Sequence, residues 1–161
     1  MMQSDQSNFI ATAFISCSLR PEDKPFVDFI EEILVAHGIK PYGTVGRYSV
    51  APMNTAELMK LNILSSDFVM VVATPRYIQK DLNTEYSKYA ISEMLHVELG
   101  MAHMADKPLV VFVKEGTEVG NFIPTVTQYI TLNGKKTDLL ENWKLIGALL
   151  KSTYSKVSIK R

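Results

Sequence analysis

The sequence predicts a single α/β domain: a three-layer sandwich with a mostly parallel five-stranded sheet and helices on both faces. Three observations predict it. Apolar segments of strand length alternate with segments of helical spacing along the chain, the pattern of successive βαβ units. "DFVMVVATP" (67–75) and "KPLVVFV" (107–113) are near-continuous hydrophobic runs, the kind buried on both faces of a parallel sheet. The 161 residues are 47% apolar and 21% charged, which suits one domain with a full core.

Each element follows from local chemistry. Residues 1–8 are polar and read as an extended or disordered lead into a domain spanning 9–155. "NFIATAFISCS" (8–18) is β-rich and predicts the first strand, broken by the turn residues of "LRPEDK". Phe26, Phe29, Ile30, Ile33 and Leu34 have helical spacing, and Gly38 stands where a helix C-terminus needs a left-handed residue. "IKPYGTV" (39–45) predicts a short second strand, followed by the loop "GRYSVAPM". Asn54 or Thr55 can cap a helix over "TAELMKLNILSS". The third strand is 67–75, and the polar run "RYIQKDLNTEYSK" reads as a loop. "SEMLHVELGMAH" predicts a helix, and 107–113 the fourth strand. After the irregular "KEGTEVGNFIPTVTQ", "YITLNG" reads as the fifth strand. Leu139, Leu140, Trp143, Ile146, Leu149 and Leu150 mark a closing helix with Trp143 in the core, and 156–161 reads as a basic, solvated tail. The order of elements is that of a flavodoxin-like or Rossmann-like sandwich.

Composition narrows the partners. Lys plus Arg and Asp plus Glu each number 17, so a broad nucleic-acid surface is not expected. The one cysteine, Cys17, reads as a small hydrophobe at a strand end, and no Cys/His cluster has zinc spacing. No secretory h-region opens the chain, and no apolar run reaches the roughly 20 residues of a membrane span. A cytoplasmic protein with no membrane partner is the expectation.

In open parallel sheets ligands bind at the carboxyl ends of the strands, near a switch in strand order. That rule selects Ser16, Ser18 and Arg20 after the first strand, Gly43, Gly46 and Arg47 after the second, and Thr74 and Pro75 after the third. "SCSLR" puts two hydroxyls and a guanidinium before a helix N-terminus, which suits an anion. Ser18 can equally hold its own turn, and Arg20 can be surface.

The helix of 92–103 holds the sharpest signal. At about 100° per residue its apolar side chains form one broad arc, and His96 and His103 mark the wet side. Glu98 falls near the centre of that arc, between Leu95 and Ala102. A buried carboxylate is costly unless paired or needed. It can pair with a cation from another helix or across a subunit contact, or it can face a ligand. A lone desolvated carboxylate suits chemistry that develops positive charge, as ribosyl N-glycosidic cleavage does when the sugar becomes oxocarbenium-like. The nicotinamide of NAD leaves as a cation becoming neutral and needs no general acid. A neutral nucleobase needs a proton donor.

"AFISCSLRPEDKPFVDFIEEILVAHGI", "ILSSDFVMVVATPRYI" and "MLHVELGMA" resemble, respectively, the opening strand and helix, the central strand and the third helix of TIR domains. The resemblance spans roughly 11–113 and implies that Glu98 is the catalytic glutamate of an NAD-cleaving member. "VELGMAHMADKPLVVFV" is also similar to nucleoside 2-deoxyribosyltransferases and deoxynucleotide N-glycosidases, through their E-[IL]-G-x-A motif. That likeness again implies a catalytic Glu98, with Ser92 as a phosphate contact. Many TIR enzymes carry a tryptophan shortly before the glutamate, where this chain reads "SEMLHVE"; Tyr86 and Tyr89 are the aromatic candidates for stacking. The deoxynucleotide hydrolases carry an aspartate in the helix before the third strand, where this chain reads "ELMKLNIL".

Together these readings predict a hydrolase that cleaves NAD between nicotinamide and ribose, releasing linear, cyclic or rearranged ADP-ribose. NAD is its substrate, and no further cofactor or metal is expected. Glu98 acts on the ribose; Ser16, Ser18, Arg20, Gly46, Arg47, Thr74 and Ser92 hold the ligand; loop 46–53 closes over it. The TIR resemblance implies self-association, a role in prokaryotic antiviral defence and an upstream sensor or downstream effector protein. Two alternatives stay open: a nucleoside or nucleotide N-glycosidase or transferase, and a non-catalytic module that senses a nucleotide or binds a partner.

Overall fold

The computed structural model of the chain describes residues 8–42, 55–127 and 129–160. In chain order the elements open with β1 (Ala11–Ser16), α1 (Lys24–Ala36), β2 (Ile39–Tyr42), α2 (Thr55–Ser65) and β3 (Phe68–Ala73). A hairpin of β4 (Tyr77–Lys80) and β5 (Ser87–Ala90) precedes α3 (Glu93–Met104). The chain continues through β6 (Leu109–Lys114), α4 (Phe122–Val126), β7 (Tyr129–Leu132) and α5 (Lys136–Lys160).

The expected sandwich is present. One five-stranded sheet runs in the order β2-β1-β3-β6-β7, with every neighbouring pair parallel. Strand order reverses between β1 and β3, which are themselves paired from Ala13↔Phe68 to Ser16↔Val71. β3 is buried at every residue, which accounts for its unbroken apolar sequence. Phe68, Met70 and Val72 join one core cluster with side chains of α1 and α5. Val69, Val71 and Ala73 join another with side chains of α2 and α3. Period-two alternation therefore sorts each strand between two helical layers.

Local signals set the helix ends. α1 has proline in its first turn and buries Phe26, Val27, Ile30, Ile33 and Leu34. Gly38 follows it at φ 74°, a left-handed conformation that costs glycine little. The Lys107 Nζ donates to the carbonyls of Leu64 at 3.0 Å and Ser66 at 2.6 Å. It thereby supplies charge and donors to the C-terminal end of α2.

Several expectations are corrected. The run read as a polar loop is the antiparallel hairpin β4–β5, paired from Tyr77↔Ala90 to Lys80↔Ser87. β4 is exposed throughout and β5 is at most half-buried, so no buried face stamps an apolar alternation on the sequence. The connection after β6 contains the short helix α4. Residues 156–160, read as part of a tail, belong to α5, because Ile146, Leu150, Thr153 and Val157 continue one buried stripe. Trp143 is not a core side chain; it is 42% exposed and its ring lies 4.9 Å from that of His37.

Val157→Asp should therefore lower the unfolding free energy by more than about 2 kcal/mol in urea titrations, through a buried charge. Lys156→Asp, on the exposed side of the same turn, should change it by less than about 0.5 kcal/mol.

Candidate active site

Ser92 starts α3. Its backbone is extended, at φ −61° and ψ 144°, and its Oγ accepts from Met94 N at 3.2 Å, a standard N-cap arrangement. The helix then buries Leu95, Leu99 and Ala102, with Ile91 buried just before it. Glu98 lies about 40° round the helix from Ala102 and about 60° from Leu95. The apolar arc is narrower than the sequence suggests, because Met94, Val97 and Met104 are exposed. Glu98 thus stands at the flank of the buried stripe rather than its centre, on the side where Met94 borders a cavity.

That cavity has a volume of about 280 Å³, near the lower limit of small-molecule sites. Its apolar wall comes from Phe14 of β1, Met59 of α2 and Met94 and Leu95 of α3. Cys17, Ser18 and Leu19 after β1, Arg76 after β3, and Ser92 and Glu98 complete it. It therefore opens at the carboxyl ends of β1 and β3, where the strand order reverses.

Burial in this apolar wall pushes the Glu98 carboxyl up from 4.5 to about 7. The Ser16 hydroxyl beside it acts in the opposite direction. Among the described residues, neither Ser16 Oγ nor Glu98 Oε2 closes a hydrogen bond of ordinary length and angle. Glu98 makes no ion pair with a described residue, so the raised acid is not a neutralised structural pair within that set. A wider depression of about 450 Å³ lies at the rim near Tyr86, Lys88 and Glu118. Its acid is exposed and accepts from the Tyr86 hydroxyl.

The residues expected at the ligand are only partly brought together. Ser18, Ser92 and Glu98 border the cavity. Ser18 Oγ also accepts from Arg20 N at 3.2 Å, so it holds its own turn as well. Ser16 and Thr74 are 0% and 2% exposed, and neither lines the cavity. Arg20 points to Glu22 in an exposed ion pair, which disperses the expected anion cradle. Gly43, Gly46, Arg47 and the whole of loop 46–53 lie outside the described residues. Tyr86 directly precedes β5 and Tyr89 sits on it, and neither borders the cavity. Sequence reasoning missed Arg76 and Met59. Arg76 directly follows Pro75 at the end of the third strand, so a search one residue further would have reached it. Met59 carried no such signal. Among the described residues, no group of three or more His, Cys, Asp or Glu is placed to hold a metal ion, and no helix is long and apolar enough to cross a membrane.

No family model matches the sequence, and no curated protein matches it. Solved structures do. A CMP N-glycosidase from Clostridium botulinum, BcmB, superposes with a TM-score of 0.52 at 17% identity, over 83% of this chain and 98% of that one. The flavoenzyme FerB from Paracoccus denitrificans, an NAD(P)H:acceptor oxidoreductase, superposes with a TM-score of 0.51 at 13% identity, over 92% and 98%. At these identities the likeness establishes the α/β fold.

The raised Glu98 carboxyl has a stability consequence. The folded state holds this proton more tightly than the unfolded chain, so its contribution is fully present below pH 4.5 and is lost as pH rises through about 7. Glu98→Gln should therefore stabilise the protein at pH 8, by up to about 3 kcal/mol, and have little effect at pH 4. Thermal unfolding of both proteins at the two pH values measures it.

Proposed function

We propose that this chain is a nucleotide N-glycosidase in which Glu98 acts at C1′ of the ribose. One observation carries the reading: a carboxyl without an ion-pair partner among the described residues, desolvated to a near-neutral proton affinity, borders a cavity at the switch point of the sheet. The resemblance of "VELGMAHMADKPLVVFV" to nucleoside-processing enzymes and the fold shared with a CMP N-glycosidase support it.

NAD is the substrate that asks least of this site. Among the described residues lining the cavity, Glu98 is the one carboxyl. The nicotinamide–ribose bond breaks with its electron pair passing to the cationic ring, which leaves neutral. The Glu98 carboxylate stabilises the ribosyl cation through the transition state. A water oxygen then bonds to C1′, and its proton passes to Glu98. The phosphates face Arg76 and the N-terminal turn of α3, where a guanidinium, free N–H groups and the helix dipole favour anions. Ser92 Oγ already accepts from Met94 N, and its own hydrogen remains available to a phosphate oxygen.

A second reading, cleavage of a nucleoside monophosphate, has its own support. A carboxyl titrating near 7 is about half protonated at neutral pH, and its acid form can protonate a departing neutral base. The cavity volume of about 280 Å³ suits a mononucleotide better than an entire dinucleotide.

Mass analysis of reactions with NAD and with nucleoside monophosphates tests the proposal. Base release should fall more than about 100-fold in Glu98→Gln; undiminished release in that variant, or none from any nucleotide, overturns the reading. The pH profile separates the two substrates. NAD cleavage rises with pH through about 7 as Glu98 ionises, whereas mononucleotide cleavage falls above it as the donor proton is lost. Arg76→Ala should raise KM about 10-fold while leaving kcat within about a factor of two, as measured in steady-state kinetics.

A further inference from the structure

Ser16 ends β1 and is 0% exposed. By the strand period it shares a face with Phe14, which packs in the cluster of α2 and α3. The same cluster takes Val69, Val71 and Ala73 from β3 and Val111 and Val113 from β6, all aliphatic. A hydroxyl in so dry a layer is destabilising when nothing satisfies it, and among the described residues Ser16 Oγ closes no hydrogen bond of ordinary length and angle. Beside it stands the Glu98 carboxyl, whose Oε2 is also buried and closes no such bond within that set. Two buried polar atoms, Ser16 Oγ delivered by β1 and Glu98 Oε2 delivered by α3, thus adjoin beside an aliphatic layer.

A hydroxyl is a compact group that both donates and accepts, and it changes role by rotating its hydrogen. We infer that Ser16 is a positioning residue for Glu98: its hydroxyl donates to the carboxylate when Glu98 is ionised and accepts from the carboxylic acid O–H when Glu98 is protonated. The acid then passes between protonation states without moving β1 or α3. Ser16 touches no substrate, being sealed behind the cavity wall. The other titratable or charged side chains bordering the cavity among the described residues are Cys17 and Arg76, whereas α2 offers Met59 and β3 presents Val71 and Ala73 on this face. The role of Ser16 in turnover rests on the N-glycosidase reading; its pairing with Glu98 does not.

Carbon-detected NMR titration of protein labelled at the glutamate carboxyl carbons tests the pairing without substrate. The Glu98 resonance is assigned by its loss in Glu98→Gln. Ser16→Ala, which removes only the oxygen, should raise the Glu98 midpoint by about one pH unit, because the carboxylate loses its donor. Ser16→Thr, which restores the hydroxyl, should return the midpoint toward the wild-type value. An unchanged midpoint in Ser16→Ala, or an equal rise in both variants, overturns the inference. If base release is also observed, the Glu98 limb of its pH profile should move with the titration midpoint. A protein that releases no base but shows the shift keeps the pairing and loses only the glycosidase reading.

Discussion

Desolvation of the Glu98 carboxyl is the constraint around which the cavity is arranged. A carboxyl on the wet side of α3 would titrate as in solution, and one at the centre of the buried stripe would be sealed by Leu95, Leu99 and Ala102. Its place on the flank gives it an apolar surround and one open approach, bordered by Phe14, Met59 and Met94. The neighbouring elements must therefore hold α3 at one rotation. Leu95, Leu99 and Ala102 lock it against Val71, Val111 and Val113 of the sheet. A turn of the helix by one residue would bring Glu98 to water or bury it completely.

Topology supplies the open approach. At the reversal between β1 and β3, their connections leave the sheet toward opposite layers: α1 packs with one core cluster and α3 with the other. The chain after β1 and the chain after β3 diverge, and the gap between them is the cavity. The hairpin β4–β5 occupies the route from β3 to α3, and Arg76 N donates to Ala90 O at 2.7 Å across its base. That bond brings the segment carrying Arg76 close to the start of α3. A cation and a helix N-terminus thereby share one end of a cavity whose inner wall carries the acid.

The sheet and Glu98 were legible because each has a signal that period and composition expose. β3 and β6 are buried on both faces and so are apolar throughout, while Glu98 interrupts an apolar helical face. Other parts had no such signal. β4 and β5 are largely exposed, so their pairing left no alternation to read. The rule that ligands gather at strand carboxyl ends gives a position along the chain but not the side on which a residue points. Ser18 and Ser92 reached the cavity, whereas Ser16 turned into the core by strand alternation and Arg20 turned to Glu22. Arg76 lay just beyond the last residue that the rule selected. Met59 enters from α2, on which Leu61 and Leu64 are exposed while Asn62 is buried. Its apolar residues therefore do not report which way the helix faces.

The near-neutral acid makes sense as a balance of two opposed terms. Burial alone would keep Glu98 protonated at neutral pH and unable to steady a cation. An exposed carboxyl would stay ionised and have no proton to give a neutral base. On the proposed reading the substrate's own charge tips the balance. A pyridinium beside Glu98 favours the carboxylate, the form that its cleavage requires. A phosphate dianion at the Arg76 end favours the protonated acid, the form that a neutral base requires. The protonation state is then selected by the bound nucleotide, and a hydroxyl such as that of Ser16, able to serve either state, is the kind of neighbour such an acid needs.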